Sequence, residues 1–487
     1  MKTTIAVLDK KGADTTRTVA RALKSLHIDH ADGFGIATPL TLTMEKDADA
    51  LQNQDINSPV SVGYTFSKIL PQDEPQHARL EDATLVFEGR IYSPMRKTSA
   101  TEIIAKKLKQ NHDKAIEALF DEIEGDFSFI IAEPERIIAG RDPIGVQPLY
   151  YGENRTIAAL ASNRKALWKL GIEKTQSFPP GHLAFVSHEG FKFKPVKTLV
   201  YSKPKPITMQ KATETLQKLL ERSVRRRVWG LKEIAVAFSG GLDSSVVAFL
   251  AKRCRANVHL IHVSLKNHPE TEEAKKAADE LKLPIHVYLF EEEDAEEVVS
   301  KVVELIEEPD PVKAAIGVPF YWTAEKTAEA GFKVLLAGQG ADELFGGYQR
   351  YVKDYLSCGE EKVRKTMFND IIRLHESNIE RDVKICNFHD VELRLPFASY
   401  EIAEFALSLP VELKIEKKTG SLRKLVLRKV AENMGLPASI AEKPKRAVQY
   451  STGINDALKK MAKKQKRTAK EYVNRLFLSQ YEYATEK

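Results

Sequence analysis

A chain of 487 residues, 43% hydrophobic and 29% charged, is long enough for about two to four domains with sizeable cores, and its composition excludes a disordered or fibrous protein. A net charge of +6 is modest at this length, so no nucleic-acid partner is expected. Three cysteines, Cys254, Cys358 and Cys386, show no CxxC spacing, which argues against a disulfide framework or a structural zinc and points to a reducing compartment.

The apolar run after Lys2 stops at Leu8, before Asp9-Lys10-Lys11, so no signal peptide fits. No stretch reaches the roughly 18 apolar residues of a membrane span, and a cytoplasmic protein without membrane contact is expected. Residues 1–200 consist of short alternating runs separated by Gly, Pro and Asn/Asp. Runs 61–66, 84–87 and 127–131 predict strands, and 100–109 and 114–122 predict helices. Strands with helices inserted between them predict an α+β domain of layered sheets.

Within it Phe87-Glu88-Gly89-Arg90-Ile91-Tyr92, Glu124-Gly125-Asp126-Phe127-Ser128-Phe129 and Gly140-Arg141-Asp142-Pro143-Ile144-Gly145-Val146-Gln147-Pro148 follow in order. With Ala161-Ser162-Asn163 and Pro179-Pro180-Gly181-His182, they resemble the N-terminal glutamine amidotransferase domain of asparagine synthetases, which implies an Ntn-hydrolase-like αββα fold. That family hydrolyses glutamine with an N-terminal cysteine. Here position 2 is Lys2 and no cysteine precedes Cys254. Glu88-Gly89-Arg90 stands where the family has Asn-Gly-Glu, so a carboxylate replaces an oxyanion-donating amide. The helix start that carries an aspartate in the family reads Ser99-Ala100-Thr101-Glu102. The expectation is an amidotransferase-like domain that has lost glutaminase activity.

Residues 201–208, Tyr201-Ser202-Lys203-Pro204-Lys205-Pro206-Ile207-Thr208, read as a proline-punctuated linker. Thr208 is the expected N-cap of a helix that opens the second domain, 209–487. In that domain, the apolar run 234–238 leads into Ser239-Gly240-Gly241-Leu242-Asp243-Ser244-Ser245 and then an apolar helix start. Strand, glycine turn and hydroxyl-rich helix start make an anion site. The glycines let backbone approach a ligand, and the helix start presents free N–H groups and positive dipole. No Gly-Lys-Ser/Thr follows, so this is not a Walker loop. It resembles the pyrophosphate (PP) loop of ATP pyrophosphatases, which implies ATP as co-substrate. Ser239, Gly240, Gly241, Asp243, Ser244 and Ser245 would form its cradle, with Asp243 a ligand of Mg²⁺.

Strands at 258–265, 284–290 and 333–338 then alternate with helices at 270–283, 294–306 and 318–330. The alternation predicts a parallel sheet with ligands at the carboxyl ends of its strands. Gly338-Gln339-Gly340-Ala341-Asp342-Glu343-Leu344-Phe345-Gly346-Gly347-Tyr348 sits at one such end. In asparagine synthetases the equivalent aspartate joins the first at Mg²⁺. By that resemblance Asp342 is the second metal ligand, and Val263 and Gly338 line the adenosine pocket. Glutamine-dependent members place a glutamate where this chain has Gln339, and β-lactam synthetases a tyrosine. Gln339 is therefore the expected contact for the nitrogen nucleophile.

Val391-Glu392-Leu393-Arg394-Leu395-Pro396-Phe397 resembles the family's Glu-x-Arg-x-Pro-Phe segment, which puts Glu392 among the candidate catalytic residues, although Ser399 replaces an aspartate. Glu442-Lys443-Pro444-Lys445 occupies the place of the motif whose lysine stabilises the adenylation transition state, which implies that role for Lys445. The basic stretch 459–475 is compatible with RNA or membrane binding, but a solvated face is the simpler reading. Together these features imply ATP-dependent amide synthesis from a carboxylate, aspartate in the family, with ammonia as nitrogen donor. Cyclisation or amidation of another acid and a non-catalytic nucleotide-binding relative stay open, as do a homodimer and a separate ammonia-supplying subunit. A tRNA-modifying pyrophosphatase is disfavoured by the lack of paired thiols.

Overall fold

A computed structural model describes residues 3–26, 31–93, 100–108, 112–266, 268–418, 420, 422–444 and 452–485. The chain divides into two compact units, residues 1–198 with 478–487, and residues 199–477.

The first unit holds two antiparallel sheets, of seven and six strands. Alternation along the strands decides which side chains face where. In Thr3–Asp9, Ile5 and Val7 pack against Val19, Leu23, Leu51 and Leu167 from helices, whereas Ala6 and Leu8 join the core between the sheets. In Glu124–Ala132, Phe127, Phe129 and Ile131 meet Ile116, Leu119 and Phe120, while Ile130 and Ala132 join that same inter-sheet core. Helix, sheet, sheet and helix therefore stack in four layers. Arg141 is buried, and its guanidinium ties the carbonyls of Gly145, Gln147 and Phe178 together. Asp142 accepts from the backbone N–H groups of Ile144, Gly145, Val146 and Gln147. The Arg141-Asp142 motif thus organises a loop.

The second unit is built on a five-stranded parallel sheet in the order Ile285–Phe290, Asn257–Leu265, Glu233–Ala237, Val334–Leu336, Glu392–Arg394. Chain order reverses between Glu233–Ala237 and Val334–Leu336, the crevice where such sheets take their ligands. The loop after each of these two strands carries one of the two glycine-rich motifs. Thr208 caps helix Met209–Val228 by accepting from the N–H of Lys211. Helix Pro311–Glu329 starts earlier than the expected 318. Asp310 caps it, Pro311 sits in its first turn, and Pro319 is tolerated inside it.

The basic stretch near the C-terminus falls in helices Ile454–Lys464 and Ala469–Thr485. Leu458, Met461, Tyr472 and Val473 are buried. Lys460 and Lys464 pair with Glu292 and Glu296 of helix Glu292–Ile306 at 2.5 and 3.3 Å. Part of the positive charge is therefore answered within the unit. Among the described residues no helix is long and apolar enough to cross a membrane.

Lys414 is 3% exposed and lies near Arg364. Burial, with a smaller push from Arg364, lowers its ammonium from 10.5 to about 7. Between those values the unfolded chain binds the proton that the folded chain has released, so this group makes stability rise with pH from about 7 to 10.5. Lys414→Met should therefore be more stable than the parent. The gain should be greatest at or below pH 7 and shrink by about 1.4 kcal/mol per pH unit above it. Urea unfolding of both proteins across that range measures the difference; a gain independent of pH would refute it.

Candidate active site

The first loop leaves strand Glu233–Ala237 and enters helix Leu242–Arg253 with Gly241 as N-cap. Gly240 has φ +66°, and a Cβ there would lie 2.8 Å from the backbone of Ala274, so both conformation and space require glycine. The Ser244 hydroxyl lies 3.3 Å from that of Ser239 and donates to the Gly241 carbonyl at 3.2 Å. The second loop passes so close that a Cβ on Gly338 would lie 2.9 Å from that of Asp243.

Close passage of the two loops brings their acids together. Lys424 Nζ lies 2.7 and 2.6 Å from the two carboxylate oxygens of Asp243 and 2.5 Å from Asp342 Oδ1. The lysine is 2% exposed and stands at the start of helix Leu425–Met434 with φ +63°. Gly347 closes this cluster, since a Cβ there would fall 1.8 Å from Asp342 Oδ1 and 2.5 Å from Lys424 Cε. Two hard oxygen donors converging on one cation suit Mg²⁺, which takes one or two carboxylates and completes its shell with phosphate oxygens and water. Among the described residues no group of three or more His, Cys, Asp or Glu side chains is arranged to hold a metal without such help.

Beside the cluster opens a cavity of about 250 Å³. Phe238, Ile261, Val263, Phe320 and Gly338 contribute an apolar part. His262 also lines it, with Nδ1 2.9 Å from the Phe238 carbonyl, and burial pushes its imidazole below the usual range. Gln339, Glu343, Tyr348, Asn378 and Arg381 contribute the polar part. Glu343 accepts from the Tyr348 hydroxyl at 2.5 Å and the Asn378 amide at 2.7 Å. Burial, and then the charge of Asp342, push its carboxyl above the usual carboxylate range. Gln339 donates its amide N–H to Asp382 Oδ2 at 2.9 Å. A carboxylate only accepts, so the Gln339 amide oxygen faces away from Asp382, and it accepts no hydrogen bond from the described residues.

Of the residues singled out from sequence, Ser239, Asp243, Ser244, Val263, Gly338, Gln339 and Asp342 line this one cavity. Gly240 and Gly241 shape the loop without lining it, and Ser245 is fully buried with its hydroxyl unpaired. Glu392 requires a correction. It pairs in register with Val334, at the amino end of a parallel strand whose carboxyl end leads to Gly338, and its carboxylate accepts from Arg394 Nε at 2.7 Å. The sheet holds it away from the cavity. Lys445 lies outside the described residues, as do Lys2 and Ser99 of the first unit. Lys424, Arg381 and Asp382 were missed. A lysine outside any glycine motif reads as a surface charge, and Arg381-Asp382 lies in a helix whose polar residues read as solvated.

The family described as asparagine synthase matches residues 215–359 and 353–483, and a glutamine amidotransferase domain matches 88–169. The inferred asparagine synthetase (glutamine-hydrolyzing) 1 of Methanocaldococcus jannaschii is 32% identical over 480 residues, covering 86% of this chain and 87% of that protein. Asparagine synthetase (glutamine-hydrolyzing) 2 of Arabidopsis thaliana is 29% identical over 426 residues, covering 80% and 71%. An asparagine synthetase (glutamine-hydrolyzing) of Zea mays is 27% identical over 427 residues, covering 81% and 70%.

Gly347→Ala tests the acidic cluster without touching an acid. The added methyl should separate Asp342 from Lys424 and lower ATP-dependent amide synthesis by about 10²-fold, the cost of an ångström-scale misplacement. An undiminished rate would mean that the contact between these two side chains is dispensable.

Proposed function

The chain belongs to the asparagine synthetase family of ATP-dependent ligases, and from that premise we propose that it amidates L-aspartate through an acyl-adenylate, using free ammonia and releasing AMP and pyrophosphate. The observation that carries this reading is the meeting of Asp243 and Asp342, from separate loops, beside a cavity at the crevice of a parallel sheet. Adenosine takes the apolar part at Phe238, Val263 and Gly338. Ser239, Ser244 and the N–H groups at the start of Leu242–Arg253 donate to the pyrophosphate, and Lys424 adds a positive charge. Held by Asp243 and Asp342, Mg²⁺ would offset charge on the phosphate oxygens. Motif order alone assigns Lys445 to the adenylation transition state.

Two observations support ammonia over glutamine. The first unit contains no cysteine, so it lacks the thiol that this class of glutaminase uses as nucleophile. Glu88 is buried, and its two carboxylate oxygens accept from Gln147 and Ser162 at 2.7 and 2.9 Å. Burial pushes its carboxyl above the usual range. An acid held this way offers no donor to an oxyanion while ionised. The free thiols of Cys254, Cys358 and Cys386 support a cytoplasmic location.

Incubation with ATP, Mg²⁺, aspartate and ammonium should yield asparagine, AMP and pyrophosphate, stop on chelation with EDTA, and give no glutamate when glutamine replaces ammonium. ADP and orthophosphate as products would overturn the mechanism, and glutamate release by the pure protein would overturn the donor assignment.

Gln339 presents its amide oxygen to the arriving nitrogen, which suits free ammonia because a neutral amide orients an N–H but removes no proton. Gln339→Leu should keep acid-dependent exchange of pyrophosphate into ATP within about threefold and lose about 10²-fold in amide formation. Equal loss in both steps would make Gln339 a packing residue.

A further inference from the structure

A second, small cavity of about 10 Å³ lies in the second unit, apart from the active-site cavity. Arg364 of helix Glu360–Ile372 and Lys414 line it, together with Tyr201 and Ser202 of the linker and the apolar Leu409 and Val411. None of the residues lining it is acidic. A space of that size has room for one occupant about as large as a water molecule.

Lys414 is 3% exposed, yet its Nζ forms neither a hydrogen bond nor an ion pair with any described residue. The nitrogen keeps some accessible surface, unlike the sealed unpaired atoms of the interior, and the residue lines the cavity. Arg364 is partly engaged. Its Nη1 lies 3.0 Å from Glu361 Oε2, Nη2 donates to the Ser202 carbonyl, and the guanidinium sits 5.0 Å from the centre of the Tyr201 ring. Glu361 also accepts from the Tyr201 hydroxyl at 2.9 Å, so its charge is spent on Arg364 and Tyr201. The charge of Lys414 is left unanswered.

Two cations beside one space repel, and burial raises the cost of charge. Lys414 on its own meets that cost by releasing its proton, as its lowered value shows. An anion in the cavity meets it with the proton kept. We propose that Lys414 and Arg364 hold one monatomic anion of the halide class in this cavity. Water would offer hydrogen bonds but leave the like charges uncompensated. Phosphate, sulfate and carboxylates need more room than one water-sized space. The site adjoins the segment that carries Lys424: the Lys414 carbonyl accepts from the N–H of Leu425 at 2.9 Å, and Ile415 pairs with Arg423. The anion therefore braces the arm that brings Lys424 to Asp243 and Asp342, and the site is independent of which acid the protein amidates.

Bromide replaces chloride and is located by anomalous scattering. Crystals of the parent protein soaked in sodium bromide at about pH 6.5 should show bromide in this cavity, and crystals of Lys414→Met none there. In solution, chloride in place of gluconate at equal sodium concentration should raise the urea midpoint of the parent and leave that of Lys414→Met unmoved. The stability advantage expected of that variant should accordingly shrink in chloride. Around Lys414 the other charged or titratable groups are Arg364, Tyr201 and Glu361, whereas Met367, Leu407, Leu409 and Val411 bring none. Anion binding needs the Lys414 proton, which the anion-free protein loses at about 7, so the apparent chloride affinity should fall about tenfold per pH unit above that. A chloride effect that ignores pH, or that Lys414→Met retains, overturns the proposal. So does bromide found on the outer surface alone, a measurement on the parent that needs no variant to fold.

Discussion

Two carboxylates and one ammonium meet where the chain order of the parallel sheet reverses. Asp243 and Asp342 belong to loops roughly a hundred residues apart in sequence, and Lys424 comes from a third segment. Like charges this close repel, and the ammonium between them offsets that repulsion. The surrounding glycines follow from this contact. Gly338 lets the loops touch, and Gly347 leaves room for Asp342 and Lys424 to do so.

An acid satisfied by specific donors recurs, fully buried, at two other places with different consequences. Asp382 takes Arg381 on one side and Gln339 on the other, and so orients two side chains at the polar part of the cavity. Burial pushes its carboxyl up, and the Arg381 guanidinium works against that. In the amidotransferase-like unit the carboxylate of Glu88 accepts from Gln147 and Ser162. In one case the acid orients side chains that line the cavity, and in the other it ties Gln147 to Ser162.

Much of this was legible in the amino-acid order. Glycines that must turn or come close, serines at a helix start and an aspartate among them announce an anion site, because the constraint is local to a few residues of backbone. Alternation of apolar strands with helices announced the parallel sheet for a similar reason: each element shows its own period. The strands at 127–131 and 258–265 and the cap at Thr208 were readable on these terms.

Strand order, and what it brings together, was not readable in this way. Glu392 carried a motif as suggestive as that of Asp342, yet parallel pairing with Val334–Leu336 fixed it at the amino end of its strand, facing Arg394. Lys424 and Arg381 had no motif of their own, since a long basic side chain shows its partner only when distant segments are packed against it. The chain by itself therefore determined the two loops, their order and the class of chemistry they suit. Which cation joins the acids and which side chains share the cavity were decided only by tertiary structure. Those properties depend on distances between segments far apart in sequence, and no local period or spacing encodes such distances.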